Sequence, residues 1–312
     1  MPDIVAMFFV LGVISGLLKS DLNLPKAAYD TLSLLLMLTI GLKGGMALHG
    51  NFSSGLMLEV GVVLALGFMI PLLLIPLLRI LVGLGSANAI SLAAHYGSVS
   101  AGTFAVALAY TMTHQLETGG QVTLYLVLLE LPALLVALTV YQMTRSQKGD
   151  FQIKSLLHET FTNRSVVLLV GGVIIGALYG YEEGAQVTQL LTGSFAVVLA
   201  LFLLEMGLVA SETLRKVRWH YWRVITFALV APVLLSFFGI FASSLLALPE
   251  GSAVILAALT ASASYIAAPV AIRNAIPEAD IGLAMLASLG VTFPFNVLVG
   301  IPLYHQLIQW AG

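Results

Sequence analysis

Two short polar patches interrupt otherwise apolar stretches of this chain: Tyr96-Gly97-Ser98-Val99-Ser100-Ala101-Gly102-Thr103 and Ser262-Ala263-Ser264-Tyr265-Ile266-Ala267-Ala268-Pro269. Each sets a Ser-x-Ser where a membrane helix is normally most apolar. Each also carries helix breakers, Gly97 and Gly102 in the first and Pro269 in the second. Where a helix breaks inside a bilayer, the N–H groups of the new N-terminus lack partners, and such backbone survives only inside protein or beside water. Those N–H groups and the positive end of the helix dipole suit a small anion. Ser98, Ser100, Thr103, Ser262 and Ser264 add short hydroxyl donors without adding charge. Carbonyls and hydroxyls at the opposing half-helix C-termini are the hard oxygen ligands that Na+ prefers. The same small residues also let packed membrane helices approach closely. It is the pairing of the two interruptions across two halves of the chain that points to a transporter's binding site.

Ionisable side chains inside apolar spans are the next candidates, because a buried charge in a membrane is costly and kept for a purpose. Glu130, two residues before Pro132, is placed on a cation or proton path, with a hydrogen bond to a neighbouring span as the alternative. Thr292 and Asn296, either side of Pro294, complete the cation-binding candidates, although an amide such as Asn296 serves equally well as a structural bond. Glu205 has no supporting counterpart in the other half. Lys43 is expected to snorkel to the outer interface. His95 precedes the first interruption and is either a pH reporter or simply hydrogen-bonded. Pro71, Pro76 and Pro232 read as kinks. Enzymatic constellations are missing from the sequence: there is no His-Glu-x-x-His, no Gly-rich phosphate loop with Lys and no Gly-x-Ser-x-Gly elbow. With no cysteine there is no thiol chemistry, and with a net charge of −2 and no basic stripe there is no nucleic-acid partner. The chain reads as a non-enzyme without a cofactor, sodium serving as a coupling ion.

The elements that must hold these residues are membrane helices. Apolar residues make up 59% of the chain, charged residues 9%, and mean hydropathy is +1.02. A soluble domain carries roughly 25% charged residues. Spans of ~20 apolar residues are expected at 4–18, 27–48, 56–82, 87–112, 120–143, 165–181, 187–210, 221–247, 252–275 and 281–310, as continuous runs that exclude a barrel. The first span is expected to stay in the mature protein, because no basic n-region or small-residue cleavage site accompanies it. If loops alternate sides, every one of the 13 Lys and Arg residues except Lys43 falls on one side, which the positive-inside rule makes cytoplasmic. Both termini then lie outside a bacterial inner membrane. Trp219-His220-Tyr221-Trp222-Arg223 reads as an aromatic belt at the cytoplasmic interface.

The halves repeat weakly but in order. Ile40-Gly41-Leu42 answers Met206-Gly207-Leu208, Ser98-x-Ser100 answers Ser262-x-Ser264, and Pro132 answers Pro294. Five spans per half is an odd number, so the second half enters the membrane inverted. The expected fold is all-α and polytopic. It has ten transmembrane helices in two inverted five-helix repeats (1–145 and 164–312, joined by a cytoplasmic linker 146–163), with interrupted helices 4 and 9 crossing near the midplane.

These residues carry a family resemblance. The chain resembles the sodium-dependent bicarbonate transporter family, known from the cyanobacterial carbon-concentrating system. The matching segments are Ile40 to Ala47, Gly97-Ser98-Val99-Ser100, Glu130-Leu131-Pro132-Ala133-Leu134, Met206-Gly207, Arg215-Lys216-Val217, Arg273-Asn274-Ala275-Ile276-Pro277 and Gly300-Ile301-Pro302-Leu303. The resemblance implies a homotrimer, bicarbonate held between the two interrupted helices with Na+ nearby, and inhibition by a PII-like regulator at the cytoplasmic face. This chain departs from the cyanobacterial pattern at Tyr265, which stands where that pattern has Asp, at Ala267 and Ala268 (Ser-Gly), at Val209 (Glu), at Glu130 (Asp), and in its short linker. Tyr265 either offers its hydroxyl to substrate or plugs the site. The expected substrate contacts are thus Gly97, Ser98, Val99, Ser100, Thr103, Ser262, Ser264 and Tyr265. The expected activity is sodium-coupled import of a small anion, bicarbonate first. The alternatives are a proton- or sodium-coupled carrier of another small carboxylate, or a membrane sensor that does not transport.

Overall fold

Long apolar runs without a polar face satisfy their backbone by coiling into helices, and the structure, a computed structural model, consists of helices and the short non-helical segments between them over its described residues, 4–50, 55–144, 162, 164–215 and 221–311. We number the helices α1 (Ile4–Leu17), α2 (Lys26–Leu48), α3 (Gly55–Val82), α4 (Ser86–Gly97), α5 (Ala101–Thr113), α6 (Val122–Thr144), α7 (Arg164–Gly193), α8 (Phe195–Arg215), α9 (Trp222–Leu245), α10 (Glu250–Thr260), α11 (Ala267–Ala275) and α12 (Ile281–Ala311). Eight spans are long and apolar enough to cross a bilayer, counting α4 and α5 as one. The shorter helix α1 and the broken pair α10–α11 complete the bundle. The expected linker, 146–163, lies outside the described residues except for Thr162, as do Trp219 and His220 of the expected aromatic belt.

One boundary differs from the sequence expectation. Helix α7 turns at Gly180, whose φ of 62° only glycine adopts readily, and continues to Gly193. The next span begins at Phe195 rather than at 187. A Cβ at Gly180 would also press on the His49 ring.

The helices sort by whom they touch. The most extensive pairings are α2 with α7 and α1 with α8, and α3 to α6 pack with α9 to α12 as a second group. Glycine makes the first group close. A Cβ at Gly41 would strike the Leu169 carbonyl, one at Gly45 the Val173 carbonyl, and one at Gly207 the Phe9 carbonyl. Small residues at such crossings let backbones meet, because lipid gives helices no hydrophobic reason to associate. The outer surface is correspondingly apolar, with Ile4, Met57, Ile80, Leu190 and Phe241 all exposed.

The span formed by α4 and α5 is the exception. In its most apolar window 89% is buried inside protein, against 28% for Val166–Ala185. The polar patches thus sit at the centre of the molecule, walled from lipid.

Candidate functional site

Both polar patches break their helices, for different local reasons. In the first, Gly97 ends α4 and lies on the ring of Pro71 in α3, where a Cβ would not fit. Ser98 and Ser100 then run extended (ψ −179° and 114°). Ser100 starts α5 as its N-cap, its Oγ accepting the Thr103 N–H at 3.0 Å. In the second, α10 ends at Thr260 and α11 begins at Ala267. Pro269 favours the break here, since in a continuous helix its ring would crowd the carbonyl four residues back, that of Tyr265. In the first turn of α11 its missing N–H costs nothing. Ser264 Oγ accepts the Ala268 N–H at 3.2 Å from two residues before the N-cap position, Ile266, so a serine hydroxyl reaches into the first turn of each half-helix.

The two breaks meet. The Ser100 N–H donates to Ser262 Oγ at 2.9 Å, and the Ser264 N–H donates to the His95 carbonyl at 2.7 Å. Ser262 Oγ in turn donates to the Leu259 carbonyl at 2.8 Å, which leaves it fully engaged. The half-helices α5 and α11 therefore start beside one another.

Several polar atoms at this junction are buried without a hydrogen-bond partner: Ser98 Oγ, Thr103 Oγ1, His95 Nε2 and Tyr265 Oη. His95 Nδ1 is taken by the Ser91 carbonyl at 2.7 Å. Each such buried group costs about 1–3 kcal/mol if left unmet, so four of them around one junction suit a polar ligand. Tyr265 lies across the start of α5. Its hydroxyl stands close to Ser100 and Gly102 without bonding either, and a Cβ at Gly102 would collide with it. Its ring packs edge-on to Phe293 at 5.2 Å.

A small cavity opens at the junction. Val99, Ser100, Ser264 and Tyr265 line it, together with Glu130 from α6 and Met37 from α2. Gly97, Ser98, Thr103 and Ser262 do not line it: Gly97 ends α4, Ser98 and Ser262 lie in the breaks, and Thr103 lies in the first turn of α5. Glu130 thus faces the starts of the two half-helices. Thr292 and Asn296 lie elsewhere and are engaged. Thr292 Oγ1 donates to the Ala228 carbonyl at 2.7 Å and lies 2.6 Å from Tyr96 Oη. Asn296 Nδ2 donates to the Ala261 carbonyl at 2.9 Å, and its Oδ1 accepts from Tyr304 Oη at 2.7 Å. Asn296 thereby satisfies a carbonyl that the end of α10 leaves open.

Some of this arrangement has no mark in the sequence. Tyr96 and Tyr304 anchor Thr292 and Asn296, and nothing in their neighbours announces it. Gly102 was legible as a breaker, whereas the structure shows it as the floor beneath Tyr265. Lys43 rests over the Phe195 ring at 5.0 Å, with Nζ 3.8 Å from Met112 Sδ. Among the described residues no group of three His, Cys, Asp or Glu could hold a metal.

No individually curated protein matches the chain. A family model does: that of the Na+-dependent bicarbonate transporter superfamily covers residues 4–309, both breaks and every residue of the cavity included. The chain is therefore a multi-pass membrane protein of a transporter family, not an enzyme, and it belongs to the Na+-dependent bicarbonate transporter superfamily.

Proposed function

We propose that the chain imports bicarbonate with Na+ across the bacterial inner membrane, holding the anion between the N-termini of α5 and α11. The observation that carries this reading is the meeting of two half-helices amid buried, unpartnered hydroxyls. Ordinary helix packing explains small residues at a crossing, but not Ser98, Thr103 and Tyr265 each left with an unmet buried oxygen. A small oxyanion accepts from several such donors at once, and the N–H groups and dipoles of two helix starts favour its charge.

Glu130 supplies the coupling in this reading. Its carboxylate lines the same cavity as Ser100 and Ser264 and has no hydrogen-bonding or ionic partner among the described residues. Two like charges about 4 Å apart repel by about 4 kcal/mol at an effective dielectric of about 20. Bicarbonate therefore binds well only when a cation neutralises Glu130, and this gives co-transport its physical cause. Thr292 and Asn296 support the breaks from behind. Proton coupling is the second reading, because protonation of Glu130 would remove the same repulsion.

The inverted repeat finds support in the pairing of helices. If α1 and α2 correspond to α7 and α8, a two-fold axis in the membrane plane turns the α1–α8 contact into α7–α2, and these are the two most extensive contacts. The hydrogen bonds of Ser100 Oγ and Ser264 Oγ to N–H groups in the first turns of α5 and α11 fit the same relation.

The test is transport by a Ser98→Ala/Ser264→Ala double variant in proteoliposomes. The expected result is bicarbonate uptake at least about tenfold below wild type, from protein that still elutes as a single folded species. Uptake with unchanged kinetics would remove the proposed site.

A further inference from the structure

A second cavity reaches Tyr265. Asn23, Tyr29, Glu205, Val209 and Leu289 line it, and Tyr265 is the one residue it shares with the cavity that holds Glu130. The phenol is thus a partition, with one carboxylate on either side. Neither the family match nor the reading above gives Glu205 a task.

Glu205 needs one. It sits near the middle of α8, and its Oε2 is buried without a hydrogen-bond partner. No Lys or Arg lines the cavity. Arg164, whose helix packs against α2, is committed to Asp30 at 2.6 Å. Glu205 is only part-buried, so its other oxygen keeps access to water, but Oε2 is shielded and has neither a hydrogen bond nor a cationic partner in the cavity, which is unfavourable for a carboxylate inside a membrane protein. Leu24, Met206, Val209, Met285 and Leu289 make most of the cavity wall apolar, and the other polar side chains that line it, those of Tyr29, Tyr265 and Asn23, all bear oxygen. Tyr265 is 7% exposed and its hydroxyl is unpartnered. One carboxylate with neutral oxygens and room for water is the donor set of a hard cation, not of an anion or a transition metal.

We infer that the cavity at Glu205 is a second cation site, taking Na+ on Glu205 Oε2, with the hydroxyl oxygens of Tyr29 and Tyr265 as neutral ligands and water completing the shell. The inference rests on the Na+-coupled reading for the identity of the cation. Tyr265 then borders both sites, and a cation leaving Glu130 passes its hydroxyl on the way to Glu205. The site opens toward the segment that carries Asn23 and Leu24, between α1 and α2.

The experiment is radioactive Na+ binding to purified full-length protein, with K+ as the control ion, for wild type, Glu205→Gln, Glu205→Asp and Tyr29→Phe. Wild type is expected to bind two Na+ per chain. Glu205→Gln is expected to bind one, and Tyr29→Phe to weaken one of the two by about fivefold. Glu205→Asp, which keeps the charge, is expected to retain both. Wild-type binding in a folded Glu205→Gln protein, or in Tyr29→Phe should that variant not fold, overturns the site. So does a Glu205→Gln protein that loses pH dependence of uptake while keeping both Na+, which would make Glu205 a proton acceptor. If wild type shows Na+-dependent uptake but its Na+ binding is indifferent to Glu205, only the second site falls. If wild type binds no Na+, the coupled reading falls with it.

Discussion

Hydroxyls of the same type do different work at the junction, and their hydrogen bonds tell them apart. Ser262 Oγ both accepts from Ser100 and donates to Leu259, so it holds the two breaks together. Ser98 Oγ holds nothing in the protein. Ser262→Ala should therefore lose about 1–3 kcal/mol of stability, read as a fall in the thermal melting midpoint. Ser98→Ala should melt as wild type does and lose uptake. Tyr265 makes a second test. A methyl group at Gly102 would run into its hydroxyl, so Gly102→Ala should impair uptake severely, and adding Tyr265→Phe should restore part of it by removing the oxygen. Failure of the second change to help would mean that Gly102 is needed for its backbone and not for the room it leaves. The serines were legible in the sequence because a Ser-x-Ser in an apolar span has a cost that needs a reason. The partition of labour among them was not, since it depends on which carbonyl or N–H the other span brings within 3 Å.

At the scale of elements, glycine and proline decided what could be read in advance. Pro269 and Gly97 marked breaks because their effect on a helix is local. Gly180 was not read as a turn, since glycine in an apolar run is commoner as a packing residue than as a corner. Thr292 and Asn296 were grouped with Glu130 from their place beside Pro294. The structure instead fastens them to α9 and α10 through Ala228 and Ala261, contacts between spans that no local pattern encodes. The glycine-lined crossings carry their own prediction. At Gly207 an added Cβ would meet the Phe9 carbonyl, the Val13 amide and Gly12, all backbone. Backbone in a packed helix pair cannot step aside as a side chain can. Gly207→Ala should cost about 1–3 kcal/mol or more, with a lower melting midpoint and reduced yield, whereas Gly61→Ala, which meets nothing within 4 Å, should be silent.

For the whole molecule, composition alone announced a membrane protein, and the family match over residues 4–309 agrees with the activity class that the paired breaks suggested. Three features meet at the site: half-helices α5 and α11 whose starts line one cavity, hydroxyls at their junction that lack partners, and the carboxylate of Glu130. In the function proposed above, they make anion binding conditional on a cation. The most direct test is uptake of labelled bicarbonate into proteoliposomes, with an inward Na+ gradient and again with Na+ replaced by K+. Wild-type uptake is expected to require Na+, whereas Glu130→Ala, which removes the repelling charge, is expected to bind bicarbonate equally well in Na+ and in K+. Bicarbonate uptake of equal rate in K+ by folded wild type at fixed pH would contradict the account.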